Sequence, residues 1–151
     1  MQTLNSKSDR DSIAQRISAL TPSDQRRWGK MSVDQMVCHV RDSYLVVLGE
    51  KSVSPATGFF QRTIMKWVAL HAPAKWPKEI KTRPEIEQGI GGTPPVGFAQ
   101  DKAALLAVFD RFCNPGTRLA DGHPFFGPMT RTEWMRWGYL HADHHLRQFG
   151  R

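Results

Sequence analysis

Apolar residues recur at helical spacing in five stretches of this chain, and no stretch alternates with the period of two that a half-buried strand requires. Ile13, Ile17 and Leu20 predict a first helix from about Ser8 to Leu20, ended by Thr21-Pro22. Ser32 with Gln35 three residues on has the form of a capping box. Val33, Met36, Val37, Val40, Tyr44, Val47 and Leu48 then make the stripe of an amphipathic second helix, which stops at Gly49. A third helix is predicted from Ala56 to His71, carrying Phe59, Phe60, Ile64, Trp67, Val68 and Leu70 and closed by Pro73. Ala103 to Phe112 reads as the fourth, with Leu105, Leu106, Val108, Phe109 and Phe112. Thr130 and Glu133 form a second capping box and open a last helix that runs to about Phe149. Two long irregular connections, 74–98 and 114–129, separate these helices. Gly89-Ile90-Gly91-Gly92 in the first of them follows no strand, so it reads as a surface crossover rather than a phosphate loop. The expectation is an all-α bundle with a crossover connection.

Length and composition support one domain over residues 1–151, since 151 residues at 40% apolar can build a single sizeable core. Charge interrupts every apolar stretch well short of the roughly 20 residues needed to span a bilayer. The segment Met1 to Arg10 has no apolar run to serve as a secretory signal, so a cytoplasmic, non-membrane protein is expected. Cys38 and Cys113 sit in apolar-periodic stretches and are expected to be buried, reduced thiols; without a CxxC there is no thiolate zinc site. The net charge of +7 permits an acidic partner. The basic residues are nonetheless scattered (Arg26, Arg27 and Lys30; Lys75, Lys78, Lys81 and Arg83; Arg131, Arg136, Arg147 and Arg151), so no nucleic acid is expected as a partner.

The candidate chemistry lies in the histidines. On a wheel of about 100° per residue, Gly138, His141, His145, Gln148 and Phe149 fall within roughly 60° of Trp134, while Arg136, Asp143 and Arg147 lie opposite. His141 and His145 thus occupy the face to be buried, one turn apart, where both imidazoles can reach one ion. Two adjacent buried imidazoles need partners for four nitrogens, and a cation supplies two of them. A hydrogen-bonded core pair, or a helix turned to expose both rings, would also account for the spacing. His39 lies mid-helix at the border of the second helix's stripe, from which it can lean inward as a third ligand. Asp42 and Ser43, three and four residues later, are candidate acceptors for a ligand N–H. His144 could replace His145 on geometry. His71 and His123 fall at a helix end and in a loop. Trp134, Trp137, Phe125 and Phe126 are candidates for an apolar pocket wall, or simply for core.

The segment Trp28-Gly29-Lys30-Met31-Ser32 leading into Met36-Val37-Cys38-His39-Val40-Arg41-Asp42 resembles the second-helix signature of the DinB-like superfamily. His123-Pro124-Phe125-Phe126-Gly127-Pro128, followed by His141-Ala142-Asp143-His144-His145-Leu146-Arg147-Gln148-Phe149, resembles the end of that superfamily's branch known as a domain of unknown function. The resemblance covers nearly the whole chain. It implies a four-helix bundle of the up-down-down-up type, with His39, His141 and His145 as metal ligands. It also implies relatives that are metal-dependent transferases and isomerases using low-molecular-weight thiols, and frequent homodimers.

The residues and the resemblance together predict a metal-dependent enzyme that activates a thiol or a water for a small-molecule substrate. The cofactor would be a divalent transition metal (zinc, nickel or iron), with a low-molecular-weight thiol as a further candidate. The alternative is a structural or sensing metal site without catalysis, closed by His144 or His123.

Overall fold

The computed structural model describes residues 1–56, 58–73, 75–78 and 82–151, and they are mostly helical. Helix α1 spans Lys7–Ser18, capped by the Ser6 hydroxyl, which accepts from the Asp9 N–H. Helix α2 spans Val33–Val47 and α5 spans Arg131–Gln148; both begin with the full capping box predicted from Ser32/Gln35 and Thr130/Glu133. Helix α4 is Phe98–Cys113 and begins five residues before the predicted start. No side chain on Gly97 marks that start. Asp101 replaces it from within the first turn, its Oδ2 accepting the N–H groups of Val96 (2.9 Å) and Gly97 (3.0 Å).

α2 packs on α4 and α5, and α1 packs on the same two helices. Their shared core is aromatic: Tyr44 lies against Phe109, Phe112 and Trp137, and its hydroxyl donates to the Gly138 carbonyl at 2.9 Å. Gly138 permits this close approach, because a Cβ there would meet Phe112 Cε1 at 2.7 Å and Leu4 Cδ1 at 3.0 Å. Both neighbours are fully buried and have nowhere to move. Gly138→Val should therefore destabilise the protein by at least about 2 kcal/mol through overpacking. A shift of the urea midpoint checks this; an unchanged midpoint would show that the helices can move apart freely.

Three expectations need correction. The third helix does not run from Ala56 as one amphipathic element. Ala56 instead donates its N–H to Pro124 O (2.8 Å), and a π-helical turn Gln61–Met65 leads into a short helix α3, Lys66–His71. Thr57, within the predicted helix, lies outside the described residues, as does Lys81. Of the predicted stripe only Leu70 is buried, while Phe59, Phe60, Ile64, Trp67 and Val68 are exposed. Second, the connection 114–129 is not wholly irregular. It contains a two-residue antiparallel ladder, β1 (Gly122–His123) with β2 (Gly127–Pro128), too short for any period-two pattern to signal it. Third, the crossover does more than cover the surface. The fully buried Asp42 carboxylate accepts from the N–H and hydroxyl of Thr93, both at 2.7 Å, and from Lys51 Nζ at 2.9 Å. These contacts tie the crossover to α2. Asp42→Ala should leave the half-buried donors of Thr93 without their partner and cost about 1–2 kcal/mol, read from the denaturation midpoint.

No helix among the described residues is long and apolar enough to cross a membrane.

Candidate metal centre

α5 is buried nearly all round: Met135, Tyr139 and Leu146 join the predicted face of Trp134, Gly138, His141, His145, Gln148 and Phe149. The i, i+4 spacing then brings the His141 and His145 rings to 4.8 Å between centroids. α2 presents His39 to the same point, 5.4 Å from His141 and 4.8 Å from His145. One candidate ligand atom from each of the three lies within 4.8 Å of the others. The three rings are at most 9% exposed, which rules out the rotated, solvent-facing helix.

Two of these rings are held in one tautomer. His39 Nδ1 is 3.1 Å from the carbonyl of Ile86, in a 3-10 turn of the crossover (Pro84–Ile86). A carbonyl can only accept, so Nδ1 carries the proton and Nε2 keeps its lone pair. His145 Nδ1 lies 3.0 Å from Gln148 Oε1, and the same reasoning leaves its Nε2 free. His141 is oriented differently: Trp137 stacks on it at 4.9 Å and 13°, and its buried Nδ1 has no hydrogen-bond partner. Burial pushes the pKa of all three below the ordinary histidine range, and mutual repulsion with the other histidines adds to this for His141. The rings are therefore neutral at neutral pH, the form that donates to a cation.

These residues could hold a metal ion. The fit rests on a buried nitrogen without a partner, two rings anchored through Nδ1 and an all-imidazole donor set. Neither cysteine is part of the cluster, and burial pushes the Cys38 thiol up to about 11 and Cys113 to about 12.

The remaining candidates stand around this cluster in other roles. Asp42 accepts from Thr93 and Lys51, Ser43 Oγ donates to the backbone carbonyl of His39 (2.9 Å), and the ring nitrogens of His39 and His145 find other partners. Those partners, Ile86 O and Gln148 Oε1, escaped the sequence reading. Gln148 had a signal, because a buried amide on the histidine face needs partners. Ile86 had none. His144 is buried beside His145, with centroids 5.1 Å apart, and its ring faces Trp28 and Trp76. Its Nδ1 is also without a partner. His123 Nδ1 accepts from the N–H groups of Phe125 (3.0 Å) and Phe126 (3.3 Å), which fixes the turn between β1 and β2. Burial lowers the His123 pKa to about 4. Trp134 is core, with its indole N–H on Ala120 O at 2.8 Å. His71 packs on Trp67 in the exposed third segment. Two surface cavities, of about 300 and 510 Å³, open elsewhere; the larger borders His123, and neither is lined by the three clustered histidines.

The family profile of a protein of unknown function, DUF1569, matches residues 3–151. The chain belongs to the DUF1569 family. Among curated proteins and among solved structures, none matches it. The matched span of this DUF1569 chain includes every residue of the histidine cluster and both of its carbonyl anchors.

Proposed function

We propose that this DUF1569 chain is a metal-dependent enzyme, built on an up-down-down-up four-helix bundle of the DinB-like kind, that activates a low-molecular-weight thiol or a water. The observation that carries this reading is the convergence of three neutral, buried imidazoles with no carboxylate among them. Neutral ligands leave a divalent zinc, nickel or iron ion its full charge, and an ion so held lowers the pKa of a thiol or water bound to it. The chain's own part is to orient and to exclude water. Ile86 O and Gln148 Oε1 hold two ligand rings. Trp137 backs the third, and Trp28 and Trp76 screen the His144 side.

The experiment is metal analysis of protein purified without a histidine tag, followed by titration of a cobalt-substituted sample with thiol or azide. One equivalent of metal and a ligand-dependent absorption change are expected, because three protein ligands leave a position for exchange. A spectrum that no small ligand alters, together with loss of metal in His144→Ala, would replace this reading with a closed structural site. The unpartnered Nδ1 of His144 favours that rival.

We also propose that two copies pair through the third helical segment. Phe59, Phe60, Ile64, Trp67 and Val68 expose on the order of 600 Å² of apolar surface, at the top of the range a monomer shows and approaching one side of a standard interface. Of the two permanent cations in this segment, Lys66 pairs with Glu133 at 2.7 Å, and Arg62, though exposed, lays its stem against Gly127. One exposed cation falls short of the basic row that an anionic bilayer would select. Sedimentation should give a dimer that Trp67→Glu dissociates; a wild-type monomer at micromolar concentration would overturn the pairing.

A further inference from the structure

The connection between α1 and α2 reaches across to the end of α5. The Arg27 N–H donates to Gln148 O at 2.7 Å, and the Trp28 carbonyl accepts from Gln148 Nε2 at 2.9 Å. Because that carbonyl has no proton to give, the amide is locked with Nε2 toward Trp28. Its Oε1 must then face His145 Nδ1, 3.0 Å away, which must carry the proton. Gln148 is 3% exposed, so water does not compete for either contact. Gly29 follows Trp28 with φ +76°, and a Cβ at that position would come within 2.6 Å of Gln148 Nε2. The amide can occupy its place only over a glycine.

We propose that Gln148, seated over Gly29 and locked on the Trp28 carbonyl, is a positioning residue that selects the His145 tautomer presenting Nε2 to a cation. The role in metal binding rests on the three-histidine reading above; the tautomer choice does not. A ring without this acceptor is free to place its proton on Nε2, and that proton must be lost before an ion can bind there. The segment 27–29 thus sets the chemistry of a histidine about 120 residues further along the chain.

The test compares wild type, Gln148→Leu, Gln148→Glu and Gly29→Ala. Nitrogen-15 NMR of metal-free protein at pH 7.5 should show His145 protonated on Nδ1 in the wild type and shifted toward Nε2–H in Gln148→Leu. Gln148→Glu keeps an acceptor oxygen for His145 Nδ1 but gives up the donor to the Trp28 carbonyl, and should still favour the wild-type tautomer. Chelator competition for cobalt should show affinity about 10–100-fold weaker in Gln148→Leu, partly restored in Gln148→Glu, and several-fold weaker in Gly29→Ala. If Gln148→Leu unfolds, Gly29→Ala and Gln148→Glu still separate positioning from packing. An unchanged tautomer and unchanged affinity in Gln148→Leu would overturn the proposal. A wild-type protein that binds no ion would sink the metal reading instead, and the NMR comparison would still decide the tautomer.

Discussion

Replacing His141 by alanine is expected to abolish stoichiometric metal while leaving a folded, helical protein. The reasoning starts from the donor count. Three imidazoles converge, so removing one leaves two neutral nitrogens and no carboxylate to replace the third. Losing only a hydrogen-bond partner of a ligand costs about 10–100-fold in metal affinity, and losing the ligand itself should exceed that. Stability should suffer much less, by about 1–3 kcal/mol for the space left against Trp137. His141 Nδ1 has no hydrogen-bond partner, so its removal strands no donor or acceptor through that atom. Elemental analysis after dialysis, beside circular dichroism, reads both quantities. Metal content equal to wild type would remove His141 from the ligand set.

Acid should both strip the metal and loosen the fold, and the histidines set the window. His39, His141, His144 and His145 are all lowered from 6.5 in the folded state, chiefly by burial, and His123 is lowered to about 4. In the unfolded chain these rings take up protons below about 6.5. The unfolded state then binds more protons, so stability is complete above that pH and falls as pH drops toward the folded values. For His123 the loss is complete below about 4. Each ring withheld from protonation contributes a slope of about 1.4 kcal/mol per pH unit. The carboxylates Asp24, Asp101 and Glu133 are lowered from 3.8 or 4.5, so their contributions fade at still lower pH and leave the upper part of the window to the histidines. Metal-free protein should lose stability steeply between pH 6.5 and 5, and the metal-loaded form should release its ion over the same range as protons compete for the ligands. A flat denaturation midpoint from pH 7 to 5 would contradict the buried neutral rings. Metal retained at pH 4 would point to carboxylate ligands instead.

The two capping boxes, the stripe of α2 and the His141/His145 pair were legible in the sequence, because each depends on residues three or four apart on one helix. His39 could be nominated as a third ligand for the same reason, from its place relative to its own stripe. Other features depend on how distant segments meet. The third segment has the apolar spacing of a core helix, yet periodicity cannot say whether a core is there to receive it, and only Leu70 finds one. Asp42 stood at the right spacing to support His39 but lies against Thr93, 51 residues away, which takes its oxygens. His39 is anchored by a backbone carbonyl, a group every residue carries and no sequence pattern distinguishes, brought in from 47 residues off. The lock on His145 likewise joins Trp28 to Gln148. The candidate ligand types were therefore set by sequence, through local periodicity and the chemistry of imidazole. Tertiary packing decided the tautomer of His145, the acceptors that hold the rings and the face left bare, because burial removes water and leaves each polar group only the partners the fold brings to it.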